Sequence, residues 1–287
     1  MASVKRLYFH LFILVYALYA FFNKGIAYSY LTEVTVVIGV LLILWNIRAY
    51  EFAWNKQMAL LVIFMILSVL YIFRGIAAGY GITDVVRDSV IFNYIIFAFI
   101  VYFFKEDLPY LKKRLIAVYK WYPLVMCFFF LLSSYVPFFR ELVVFGGQRI
   151  FLYKFGDMGV HLFIASIFLL NGNIVLRKRY FLLQWILIIY LALIVASYSR
   201  SGILSYTVAL VVFFIYTKNY ELRKQMVRWL KFVPVLVIAA IPLFLSTKLE
   251  ENFQGRTLSL EQLKENAVSI FSASEDGTTL SDNKVWR

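Results

Sequence analysis

Arginines near the ends of apolar segments carry most of the chemical content of this sequence. Five are read as standing on the outer side: Arg74, Arg87, Arg140, Arg149 and Arg200. A guanidinium stays charged at any biological pH and presents several donors in a planar fork, an arrangement that phosphate oxygens accept well. Placed at the outer face of a membrane, against the insertion bias of basic residues, such side chains need a ligand or a partner. A diphosphate headgroup would use several forks at once. Snorkelling to lipid phosphates, or pairing with Asp84, Asp88 or Glu141, is the plainer alternative. Arg200 stands apart because it sits in Tyr198-Ser199-Arg200-Ser201-Gly202, a turn of minimal length between two apolar runs. Hydroxyls, a guanidinium and the amides that open the next helix make an anion pocket there. Gly202 is expected to supply a backbone conformation closed to other residues. The plainer alternative is a tight hairpin with a snorkelling arginine and no ligand.

The elements that must hold these residues follow from composition. Of 287 residues, 63% are hydrophobic, 20% aromatic and only 16% charged, with a mean hydropathy of +0.79. A soluble domain is about half apolar and a quarter charged, so this chain needs lipid as its solvent. Roughly 17 to 25 helical residues cross the hydrocarbon of a bilayer. By that measure the chain has about nine candidate spans, over residues 7–22, 26–47, 58–73, 89–104, 115–139, 158–176, 181–197, 201–217 and 232–245. Pro123 is expected to kink the fifth, and Asn171-Gly172-Asn173 interrupts the sixth. Asn46, Asn93 and Gln184, within apolar runs, are expected to bond between helices. The fold class is therefore all-α, a polytopic transmembrane bundle over residues 1–245. Residues 246–287 are polar and read as the start of a large outer loop, expected to be truncated. Ser259 and Gln262 make a capping-box signal there, and Leu260, Leu263, Ala267, Ile270 and Phe271 recur at helical spacing. A short amphipathic helix on the outer surface is expected.

The net charge of +13 would suggest nucleic acid in a soluble protein. Here the basic residues alternate with the loops instead. One set of segments holds Lys5 and Arg6, Arg48 and Lys56, Lys105 to Arg114, Arg177 to Arg179, and Lys218 to Lys231, and it outnumbers the other. Because Lys and Arg are retained in the cytoplasm, the N-terminus reads as inside and nucleic acid drops out as a partner. Cys127 is the one cysteine, and His10 and His161 are the two histidines. Disulfide frameworks, Cys-ligated zinc and His-rich metal sites are excluded, so no metal or cofactor is expected. Gly79-Tyr80-Gly81 lacks the further glycine and lysine of a nucleotide loop.

An apolar helix that runs into Ser-Arg-Ser-Gly and straight into another resembles the O-antigen ligase and polymerase family of bacterial polysaccharide assembly. The resemblance covers roughly residues 149–287: an outer arginine before a helix, the Ser199-Arg200-Ser201-Gly202 turn, a basic inner loop, another helix and an outer loop. Lys154-Phe155-Gly156-Asp157 replaces the family's usual Asn-Pro-Asn-like stretch. The resemblance implies a metal-independent glycosyltransferase of the bacterial inner membrane that acts on its outer face. The donor would be an undecaprenyl-diphosphate-linked glycan, and the acceptor a second glycan or the lipid A core. By resemblance Arg200 engages the donor diphosphate and Arg149 and Arg287 are further substrate-binding candidates, while Arg74, Arg87 and Arg140 are candidates from their place at outer helix ends. Arg287 falls where the family has functional arginine and histidine residues in its outer loop. The reaction is displacement at an anomeric carbon, in which guanidiniums stabilise charge on the departing phosphate. His161, about one turn into a helix from the outer side, is the candidate base, and Asp157 either orients it or caps the helix. Glu33 reads as a helix-entry residue, and His10, near the inside, takes no part. A transporter or flippase of lipid-linked oligosaccharide is the rival reading, and a non-catalytic fragment of a polymerase the third. A transporter would concentrate its polar groups near the middle of the bilayer.

Overall fold

The computed structural model describes residues 2–21, 31–49, 54–82, 85, 95–141, 143–144, 148–149, 155–248 and 256–271. They form α1 (Ala2–Phe21), α2 (Leu31–Trp45), α3 (Lys56–Ala77), α4 (Ile96–Phe103), α5 (Leu108–Tyr135), the short α6 (Pro137–Glu141), α7 (Phe155–Leu170), α8 (Lys178–Tyr198), α9 (Arg200–Tyr216), α10 (Tyr220–Ser246) and α11 (Leu260–Phe271). Two short 3-10 helices, Ile47–Ala49 and Lys105–Asp107, and a two-residue antiparallel ladder, β1 (Val143–Val144) against β2 (Gln148–Arg149), accompany them. Each apolar run marked in the sequence carries a described helix. Four stretches are long and apolar enough to cross a membrane: Met58–Ala77, Lys105–Tyr135, Lys178–Tyr198 and Tyr220–Ser246. The apolar helices within α2, α7 and α9 are shorter.

The chain divides into two compact units, residues 1–16 with 30–113, and residues 17–29 with 114–287. In the first, Tyr8 and Phe9 of α1 bury their rings against Phe104, both at 5.3 Å between centroids. Gly39 of α2 leaves space for the Tyr8 hydroxyl and the Ile100 side chain, which a β-carbon would meet at 2.5 and 2.7 Å. Arg6 lies 4.0 Å from Asp107, and His10 shares a 3.0 Å hydrogen bond with the Tyr110 hydroxyl. These contacts tie the start of α1 to the α4–α5 turn. Helix α3 exposes Leu60, Ile63, Ile66, Leu70 and Phe73, an apolar surface running around the helix that suits a lipid surround.

In the second unit α8 is the central helix, with Ile188, Leu191, Ile194 and Val195 fully buried. It packs against α7, α9, α10 and α11. Polar side chains make specific bonds in this core. Gln184 donates to the Lys120 carbonyl at 3.0 Å, the interhelical role expected of it, and Tyr190 and Thr247 share a 2.7 Å bond. Asn46, by contrast, bonds within its own helix, to the Leu42 carbonyl at 2.9 Å, and Asn93 lies outside the described residues. Helix α5 continues past Pro123 and ends at Tyr135, ahead of Pro137, which opens α6. Helix α10 starts at Tyr220, well before its apolar run. Asn219 caps it by accepting from the Leu222 amide at 3.1 Å.

Helix α7 stops at Leu170 for a local reason. Gly172 adopts φ +67°, and the amides of Asn171, Gly172 and Ile174 turn back to the carbonyls of Ile167, Leu169 and Phe168. The glycine is needed for its dihedral angle rather than for space, since nothing lies within 4 Å of a β-carbon built there. Gly172→Ala should therefore lower stability by about 1 kcal/mol, with Gly172→Asn costing less. Thermal denaturation of the detergent-solubilised chain measures the difference, and equal values for the two variants would count against a dihedral origin.

Candidate functional site

The site forms where α8 ends and α9 begins. Ser199 has extended dihedrals and serves as the N-cap of α9, its hydroxyl accepting from the Gly202 amide at 3.0 Å. Arg200 is then the first residue of the helix. A cation is unfavourable there, because the unpaired amides of a helix N-terminus already carry partial positive charge. The Nε and Nη2 atoms of Arg200 are buried and have no hydrogen-bond partner among the described residues. Burying a guanidinium without a counter-charge is costly, so this placement favours an anion.

A second cation stands beside it. Arg256, 8% exposed, precedes α11 and donates from Nη1 to the Tyr198 carbonyl at 2.8 Å. Burial, and after it the positive charge of Arg200, pushes the Arg256 guanidinium below its usual range. The Ser199 and Ser201 hydroxyls lie 3.2 Å apart at the same turn. Phe155 stacks on Tyr198 at 4.4 Å, so the first turn of α7 forms a wall of the site.

The close approach of α7 and α9 fixes this geometry. A β-carbon on Gly159 would run into the Gly202 carbonyl. One on Gly202 would lie 2.6 Å from the Phe155 carbonyl and 2.8 Å from Val195. Gly202 does not take the special backbone conformation expected from the sequence: it lies in the first turn of α9, and the positive-φ glycines among the described residues are Gly79 and Gly172. What demands glycine at position 202 is proximity to a neighbouring backbone.

Of the arginines singled out in the sequence, the structure brings Arg200 into this site. Arg74 lies exposed in the last turn of α3, in the first unit. Arg140 falls in α6 and Arg149 in β2, but their side chains lie outside what is described, as does that of Glu141. Arg87, Arg287, Asp84 and Asp88 lie outside the described residues altogether. His161 is 2% exposed and faces α5. Its Nδ1 shares a 2.7 Å bond with the Tyr119 hydroxyl, and its ring stacks on Tyr122 at 5.1 Å. Gly159 and His161 are two residues apart, about 200° around the helix, so the face that meets Gly202 is opposite the face that carries the histidine. Ser166 and Phe163 continue the α9-facing side, through Tyr206 at 3.1 Å and Phe213 at 6.5 Å. Asp157 lies in the first turn of α7, where a carboxylate suits the helix dipole.

Tyr119→Phe should cost about 1 kcal/mol of stability by deleting a buried hydrogen bond, while leaving anion affinity at the arginine pair within about twofold. Differential scanning fluorimetry and pyrophosphate titration test the two halves. A matching loss of affinity would place His161 in the site after all.

Two contributors escaped the sequence reading. Arg256 satisfies the same criterion as the other arginines, a basic residue just ahead of a helix, but its helix is not an apolar span. Asn266 gave no signal, because its partners are main-chain carbonyls. Among the described residues no group of three or more His, Cys, Asp or Glu side chains is placed to hold a metal ion. No family model, curated protein or solved structure matches the chain.

Proposed function

We propose that the chain is an inner-membrane protein of about nine spans, with its N-terminus in the cytoplasm, that transfers or polymerises undecaprenyl-diphosphate-linked glycans on the outer face. The observation that carries the reading is Arg200 at the first position of α9, with two guanidinium nitrogens buried and unbonded beside Arg256. Topology supports the placement. The arginine pair lies at one end of α8, whereas Arg177, Lys178 and Arg179 lie at the other, with Lys218 and Arg223 likewise at the far end of α9. If the basic loops are retained inside, the pair faces outside, as the reading requires.

In this scheme the acceptor hydroxyl attacks the anomeric carbon of the donor. The bond from that carbon to the phosphate oxygen breaks, its electron pair leaves with the lipid diphosphate, and the proton of the acceptor hydroxyl passes to the departing phosphate oxygen or to water. Arg200 and Arg256 hold the departing oxygens, and the α9 amides add positive potential. Their fixed positions matter most as negative charge builds on the leaving group, so they favour the transition state over the bound donor. The acceptor is a second glycan or the lipid A core.

Reconstitution with undecaprenyl-diphosphate oligosaccharide tests the reading. The expected result is a longer or transferred glycan, with one undecaprenyl diphosphate released per bond formed. Passage of intact donor across the bilayer without that release would favour a transporter instead.

A further inference from the structure

Residues 256–266 occupy the last carbonyls of α8. Asn266, 1% exposed, donates from Nδ2 to the carbonyls of Ala196 at 2.7 Å and Ser197 at 2.6 Å, and Arg256 takes the next one, Tyr198. A helix leaves its final carbonyls without partners, and here side chains from one short segment satisfy three in succession. The amide of Asn266 is oriented from behind. Gln262 donates to Asn266 Oδ1 at 3.4 Å and to Glu265 at 3.1 Å, which leaves Nδ2 to face α8. Gln262 and Asn266 of α11 are buried against α8, while Leu260 and Ala267 of its apolar set stay exposed.

The same segment brings Arg256 against Arg200, and two like charges in a poorly hydrated place repel. We propose that Asn266 is a positioning residue for the arginine pair: by pinning α11 to the end of α8 it holds Arg256 beside Arg200, so that docking of residues 256–271 and binding of a diphosphate anion support one another. This rests on reading the pair as an anion site. Without the anion, repulsion opposes docking. With it, each guanidinium meets negative charge and the segment is held more firmly. Thermodynamic reciprocity then requires that whatever strengthens docking also strengthens anion binding.

Hydrogen exchange on the full chain in lipid nanodiscs, with and without inorganic pyrophosphate, tests the proposal. In the unaltered protein pyrophosphate should slow exchange of the α11 amides about tenfold. Asn266→Ala should speed their exchange without ligand and weaken pyrophosphate affinity about tenfold. Asn266→Ser, which keeps a donor, covers the case in which the alanine variant does not fold. The decisive measurement is the double variant. If Asn266 works against repulsion, Arg200→Ala in the Asn266→Ala background should restore protection of α11, an effect that a simple strut would not show. Absence of that restoration would overturn the positioning role. Pyrophosphate binding with unchanged α11 protection would overturn the coupling and leave the anion site standing. No pyrophosphate binding at all would overturn the anion site and the coupling with it.

Discussion

Arg200→Ala is expected to weaken pyrophosphate binding by about 30-fold to 1,000-fold without lowering thermal stability. The affinity term follows from losing charge-assisted hydrogen bonds in a desolvated place, about 2–4 kcal/mol in all. The stability term has the opposite sign to most losses of a half-buried side chain. Arg200 has buried nitrogens without partners, sits at the positive end of α9 and repels Arg256, so its removal relieves strain. Arg200→Lys keeps the charge but loses the fork, and should recover only part of the binding. Isothermal titration with pyrophosphate, paired with a melting curve on the same preparation, separates the two effects. A variant that melts earlier while binding pyrophosphate normally would mark Arg200 as a packing residue, and the proposed function would lose its main support.

The glycine crossing of α7 and α9 yields the second large effect. Gly202→Ala and Gly159→Ala each force a β-carbon against a neighbouring main chain, which cannot move as a flexible side chain can. Overpacking of this kind costs about 1–3 kcal/mol, and a backbone contact belongs at the upper end. Gly156→Ala is the built-in control, because its β-carbon would meet the Ser199 and Ser201 hydroxyls at 3.8 and 3.9 Å, ordinary contact distances. That variant should be neutral, or more stable by up to about 1 kcal/mol from helix propensity. Melting temperatures of the three variants in one detergent check the order. Since α7 walls the arginine site, the two destabilised variants should also lose pyrophosphate affinity while Gly156→Ala keeps it. Similar behaviour of all three would show that the helices do not cross as closely as described.

Much of the helical framework is legible in the residues. The apolar runs locate the helices because membrane-crossing length and hydrophobicity are local properties of the chain. The cap at Ser259 is legible for the same reason, while those at Asn55, Ser199 and Asn219 emerge with the structure, each accepting a bond from an amide three residues on. The capping box at Ser259 forms only in part: its hydroxyl accepts from the Gln262 amide, but the Gln262 side chain turns to Glu265 and Asn266. The periodic apolar residues of α11 mark a helix correctly but do not show that a polar pair, Gln262 and Asn266, is what it buries at the open end of α8.

The sequence by itself determined that the chain is helical and apolar enough for a membrane, that the Ser199 to Gly202 turn joins two apolar helices, and that Arg200 stands at the start of the second. Each depends on near neighbours along the chain. Only the tertiary structure decided that Arg256 joins Arg200, that Asn266 reaches the last carbonyls of α8, and that His161 turns toward Tyr119 and Tyr122 on the far face of α7. Those outcomes depend on segments tens of residues apart being brought within hydrogen-bond reach. Backbone carbonyls are the partners in several of them, and a carbonyl has no identity that a sequence can reveal.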